Sequence, residues 1–199
     1  MSLEKKLVYQ MSHSIFAIAD TCFLIDWARF RFRDYLFKLF TTVFVSESVL
    51  KEVKSEDTIE WIANGLSKGL LSLYTESFDE IEEARKIVEL SRRIPGMIFV
   101  DFPEALCIVV GRRRGYIVLT ENKGAIMFTN IIKDYSSVVV WRSFEILLTL
   151  HIKKLINVNC ENALAMFKIY EGDTKHIFPR RDMEIAENVI RNELCRNRL

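Results

Sequence analysis

Apolar positions along this chain alternate between short β-branched or aromatic runs and longer stretches with three- and four-residue spacing, the pattern of strands interleaved with helices. The run Ile15-Phe16-Ala17-Ile18-Ala19 has strand length, ends in Asp20 and Thr21, and passes into residues that read as the first turn of a helix. Between Asp26 and Phe40, the residues Trp27, Phe30, Leu36, Phe37 and Phe40 recur at helical steps and predict one amphipathic helix. Thr41 to Val45 reads as a second strand, with Ser46 as the N-cap of a helix that opens Glu47-Ser48-Val49-Leu50-Lys51-Glu52-Val53. Trp61 to Leu66 is helical, and Leu70 to Tyr74 is a short strand or an extended connector. Phe78 to Arg93 predicts a helix with Ile81, Ala84, Ile87, Val88 and Leu90 inward, broken by Pro95 and Gly96. Its acids Glu80, Glu82, Glu83 and Glu89 fall at helical steps from Arg85, Lys86 and Arg93, as on a solvated face.

The next helix opens at Asp101-Phe102-Pro103-Glu104, with proline in the first turn, and is apolar nearly all round through Val110, so it is expected to be buried. Tyr116 to Thr120 is a strand ending Thr120-Glu121-Asn122, Ser137 to Trp141 a fifth, and Phe144 to Leu155 an apolar helix. Beyond Asn157, Ala163, Leu164, Phe167 and Tyr170 suggest a helix stopped by Gly172, and Met183, Ala186, Val189 and Ile190 another after Phe178-Pro179. The expected architecture is a three-layer α/β/α sandwich with a mostly parallel sheet over residues 1–156, and a helical extension over 157–199 packed on it.

A length of 199 residues suits one domain with a small appendage. Lys and Arg number 28 against 27 acids, so a net charge of +1 leaves no global basic field, and any nucleic-acid contact must be local. Arg29, Arg31 and Arg33 alternate with Phe30 and Phe32, either as a basic aromatic surface for single strands or as rings in a core with arginines in water. Arg112-Arg113-Arg114, between Gly111 and Gly115, are phosphate contacts or a charged helix-to-strand turn. The cysteines, Cys22, Cys107, Cys160 and Cys195, are scattered without a CxxC pair and read as reduced, mostly buried thiols of an intracellular protein. The opening segment with Glu4, Lys5 and Lys6 has no leader pattern, and no apolar run approaches the roughly 20 residues of a membrane span, so a cytoplasmic protein is expected.

Ligands of open α/β sheets bind at the carboxyl ends of the strands, which directs attention to the acids there. Asp20 is either the cap of the next helix or such an acid. Glu52, three residues after Val49, faces inward toward the same edge or is a surface glutamate beside Lys51. Glu104 opens the buried helix and Glu121 ends a strand parallel to the first, so four acids are expected around one edge. Carboxylates that close repel and raise one another's pKa values unless a cation sits among them. A hard divalent ion, Mg²⁺ or Mn²⁺, is the simplest answer, and such a centre suits phosphodiester hydrolysis. No GxGxxG or Walker A segment follows the first strand, which argues against nucleotide binding; His13, His151 and His176 lie outside the strand ends, which argues against His-assisted nucleophiles.

At these residues the sequence resembles the PIN-domain ribonucleases. The resemblance rests on Asp20-Thr21 with Leu24-Ile25, on Ser46 to Val53, on Pro103-Glu104-Ala105 and on Leu119-Thr120-Glu121-Asn122, and it covers roughly Ser14 to Leu150. It implies metal-dependent endonucleolytic cleavage of single-stranded or structured RNA. Asp20, Glu52 and Glu104 would be the metal-site acids and Glu121 a fourth, with Thr21, Thr120 and Asn122 as polar supports. It also implies either a toxin held by an inhibitory antitoxin-like protein or an RNA-processing enzyme, with the tail serving a partner, substrate capture or a homodimer. Glu121 stands where the family often has Asp, and Pro103 where it often has Gly. The alternative is therefore a PIN-like module that binds RNA or a protein without cleaving.

Overall fold

The computed structural model describes residues 16–157 and 160–195. Ile15, the opening charged segment and His13 lie outside them.

The central strand is β1, Phe16–Ala19, whose last three residues are wholly buried. It can be apolar on both faces because the sheet is parallel and covered on both sides. β2 (Thr42–Ser46) and β4 (Ile117–Leu119) flank it, β3 (Leu71–Tyr74) lies outside β2, and β5 (Val140–Trp141) outside β4, giving the order β3-β2-β1-β4-β5 with every pair parallel. The fold is thus an α/β/α sandwich on a five-stranded parallel sheet.

On one face lie α1 (Thr21–Arg29), the short α2 (Glu47–Glu52) at its rim, and α3 (Glu56–Ser67). The other carries α4 (Phe78–Arg93), α5 (Phe102–Arg114) and α6 (Lys123–Ile131). Ala105 to Val110 of α5 are all fully buried, as expected of a helix held between sheet and neighbouring helices. Gly111 permits that approach, because a Cβ there would come within 2.5 Å of Val118 Cγ2. After β5 come α7 (Ser143–Ile152), α8 (Ala165–Thr174) and α9 (Arg180–Val189), which continues as a π-helical turn, Ile190–Cys195. The tail shares the core: Tyr170 of α8 is fully buried against Trp27 and Phe30, and Asp173 forms a bidentate pair with Arg31 at 2.6–3.1 Å. Among the described residues no helix is long and apolar enough to cross a membrane.

Several expectations are corrected. The helix predicted over Asp26 to Phe40 starts at Thr21 and stops at Phe30, whose ψ of 122° is extended, and a 3-10 turn follows over Arg33–Lys38. Asp20 caps early, and the Trp27 indole fixes the bend by donating to the Arg33 carbonyl at 2.8 Å. Phe30 is fully buried, so the alternating arginines and rings are not a free aromatic surface. Gly172 does not stop α8, which runs to a left-handed cap at Lys175. Glu80 and Glu83 are not on a solvated face. Glu83 is buried and clamps Arg112 and Arg113 of α5 at 2.6–3.0 Å, and Glu80 accepts from Tyr74 at 2.6 Å with Arg114 at 3.5 Å. The three arginines therefore hold α5 to α4. Leu90, expected inward, is exposed. The thiols are not all reduced: Cys160 and Cys195 form a disulfide that closes the tail on itself, while Cys22 and Cys107 are free.

Candidate active site

The carboxyl ends of β1 and β4 are adjacent, tied by Asp20 N–H donating to the Leu119 carbonyl at 3.0 Å, while Thr120 N–H donates to the Trp141 carbonyl at 3.0 Å. This junction brings Asp20 and Thr120 together from 100 positions apart. The Asp20 carboxylate is both a cap and an acid of the site. Its Oδ1 accepts from Phe23 N–H at 2.9 Å, capping α1, and its Oδ2 accepts from the Thr120 hydroxyl. The Cys22 thiol lies 3.2 Å from both oxygens. Desolvation is the larger influence nonetheless: Asp20 is 1% exposed, and its pKa is pushed up from 3.8 to about 6, opposed by these hydrogen bonds.

Glu104 sits in the first turn of α5, where the helix dipole favours an anion. Its Oε1 accepts from Asn122 Nδ2 at 3.0 Å, but Oε2 is buried with no hydrogen-bond partner. Burial, then the charges of Asp20 and Asp101 and lastly that of Glu52, push its pKa from 4.5 to about 7. Glu52, at the end of α2, accepts from the Thr21 hydroxyl at 3.0 Å and stands exposed at the rim. Asp20, Glu52 and Glu104 thus share one electrostatic field, with Thr21, Thr120 and Asn122 each bonded to one of them or to each other. Asn122 is also the N-cap of α6, accepting from Ala125 N–H at 2.9 Å.

Glu121 is near enough for its charge to raise the pKa of Asp20, but its hydrogen bonds go elsewhere. Its Oε1 caps α7 by accepting from Ser143 N–H at 2.6 Å, and its Oε2 lies 3.8 Å from His176 Nε2. Side chains alternate about an extended backbone, so Thr120 and Asn122 reach the Asp20 side while Glu121 between them turns toward α7. That period of two was the signal available in the sequence.

Four participants were not singled out from the sequence. Cys22 bonds Asp20; Asp101 acts on Glu104; Glu76, beyond β3, accepts from Ser48 N–H at 2.8 Å; and His176, read as remote from the strand ends, is carried by the tail to Glu121. Tyr170 hydroxyl and Ser143 Oγ, 2.6 Å apart, complete a polar cluster behind Glu121. Only tertiary packing reveals these last contacts.

Among the described residues no three His, Cys, Asp or Glu side chains are grouped closely enough to hold a metal ion. Hard cations are commonly held by one or two carboxylates with water completing the shell. The partnerless oxygen of Glu104 beside the desolvated Asp20 carboxylate fits that pattern, since a cation there would relieve both. Comparison with protein-family models gave no match to this chain, and comparison with curated proteins gave none.

Proposed function

We propose that this chain is a metal-dependent endoribonuclease of PIN type that hydrolyses phosphodiester bonds in single-stranded RNA. The observation that carries the reading is the pair Asp20 and Glu104, one fully and one partly buried acid, both pushed toward neutrality chiefly by burial and Glu104 also by the charge of Asp20, with one Glu104 oxygen lacking any partner. Asp20 and Glu104 would hold Mg²⁺ or Mn²⁺, with Glu52 at the rim of the same field. The bound ion would polarise the phosphoryl oxygen and lower the pKa of water. Thr120 and the Phe23 amide fix the Asp20 carboxylate, Asn122 fixes Glu104, and the Thr21 hydroxyl steadies Glu52. Such preset groups lower the reorganisation that the transition state requires.

A second reading, a PIN-like module that binds without cleaving, is favoured by Glu121, which is spent on capping α7. Labelled single-stranded RNAs incubated with Mn²⁺ or Mg²⁺ decide between them, with chelator and Asp20→Asn as controls. Cleavage lost in both controls supports the nuclease; RNA bound but equally intact with wild type and Asp20→Asn supports the module. An RNA substrate also suits the cytoplasm. There thiols are kept reduced, so the Cys160–Cys195 bond stands against that location. Thiol alkylation of freshly isolated protein followed by mass spectrometry tests it.

A further inference from the structure

The segment between α4 and α5 displays an exposed aromatic ring on a backbone that packs against the start of α6. Gly96, at φ 76°, turns the chain, and Met97 N–H closes the turn on the Ile94 carbonyl at 3.1 Å. Val100 is fully buried and its N–H donates to Ser91 Oγ at 3.3 Å, which pins the segment on both sides of the ring. Phe99 between these anchors is 41% exposed. Its backbone lies against Gly124 at the start of α6, where a Cβ would come within 2.4 Å of the Phe99 carbonyl and 3.0 Å of Asn122 Oδ1. Asn122 in turn holds Glu104, so the backbone that carries the ring is linked to that acid through Gly124 and Asn122.

A single exposed phenylalanine is ordinary. This one carries a cation on its ring, with the Arg92 guanidinium carbon 4.8 Å from the centroid. Neighbouring Arg93 is paired with Glu89, whereas neither Arg92 nor the exposed Lys123 makes an ion pair among the described residues. An accessible ring with one unneutralised cation on it, and a second, Lys123, next in the chain to the Gly124 that its backbone lies against, has the chemistry of a nucleotide-binding platform, in which the ring stacks on a base and the cations meet phosphates.

We propose that Phe99, Arg92 and Lys123 form a nucleotide subsite, with the ring stacking on a base of a single-stranded nucleic acid and the two cations meeting its backbone. The proposal rests on the nuclease reading for its place in catalysis, but its test does not. Binding of a short labelled RNA to the full chain in chelator, followed by fluorescence anisotropy, isolates recognition from cleavage.

Phe99→Ala and Phe99→Leu should each weaken binding about tenfold, and Phe99→Tyr should keep it, because the platform is the aromatic face. Arg92→Gln and Lys123→Gln should each flatten the dependence of log affinity on log salt by about one contact. A DNA strand of the same sequence tells whether the sugar is read. Equal, Phe99-dependent binding assigns the site to single strands of either kind, and preference for RNA assigns it to RNA. Unchanged binding by Phe99→Ala, or no binding of either strand by the wild type, overturns the proposal. Phe99-dependent binding without metal-dependent cleavage would leave the subsite standing and remove the nuclease. Cleavage indifferent to Phe99 would do the reverse.

Discussion

Replacing Glu104 by Gln should make the metal-free protein more stable at neutral pH. A carboxyl whose pKa is higher in the folded chain than in the unfolded one binds its proton more tightly when folded. Its contribution is therefore fully present below the ordinary value of 4.5 and is lost as pH climbs through that value to about 7. At about 1.4 kcal/mol per pH decade the full window corresponds to roughly 3 kcal/mol. Glu104 is only partly shielded from solvent, and screening reduces this to about 1–2 kcal/mol. Gln keeps an oxygen for Asn122 Nδ2 and puts an N–H₂ group in place of the partnerless Oε2, with the Asp20 carboxylate nearby to accept. For a chain of this size the gain amounts to about 3–6 °C in Tm at pH 8. It should disappear near pH 4, where the wild-type carboxyl is protonated in both states, and Mn²⁺ should raise the wild-type Tm while leaving Glu104→Gln nearly unmoved. Thermal melts of both proteins at the two pH values and with Mn²⁺ check this. A variant no more stable than wild type at pH 8, or a gap that ignores pH, would refute the account of Glu104 as an uncompensated charge.

Breaking the Cys160–Cys195 bond by Cys160→Ser should lower stability by up to about 3–4 kcal/mol, the loop-closure figure for a separation of 35 residues. Urea unfolding with and without reductant measures it, and an unshifted midpoint contradicts it. Gly124→Ala should cost about 1–3 kcal/mol, because the new Cβ would stand 2.4 Å from the Phe99 carbonyl, a backbone atom that cannot swing aside. Its melt should be compared with that of Gly172→Ala, where nothing lies within 4 Å. Glu83→Gln should destabilise by about 1 kcal/mol, since Arg112 and Arg113 lose their shared partner. Hydrogen bonding to Arg113 and Arg112 holds the Glu83 carboxyl below its ordinary value, so the wild-type advantage should fade on acidification below pH 4.5 and be complete above it.

The framework was legible wherever an apolar run ended in a capping residue. β1 before Asp20 and β2 before Ser46 follow from local chemistry alone, and the whole of α4 from its apolar spacing and the Pro95-Gly96 break. The aromatic spacing that predicts a helix over Asp26 to Phe40 persists through Phe30, where the backbone has already left the helix. α6 went unread, although Ala125, Phe128 and Thr129 line one buried face, because its nine residues follow directly on the polar end of a strand. The polar contacts of Asp20, Glu104 and Asn122 sit where strand order alone would bring them together. The Glu83 clamp, the disulfide and His176 at Glu121 depend on how separate elements dock, information that no local window holds.

The sheet order has a consequence for how this protein comes into being. β1 finds β2 about 25 residues later in the chain, whereas its other neighbour, β4, starts at Ile117. Closing so long a loop is slow, and its entropy is lost before the contact is gained. Thr120 and Asn122 arrive only with that closure, so during synthesis the growing chain carries Asp20 with its local partners Phe23 and Cys22 but without the Thr120 hydroxyl. The Asp20–Thr120 and Glu104–Asn122 bonds therefore form only after β4 has been made and has joined the central ladder.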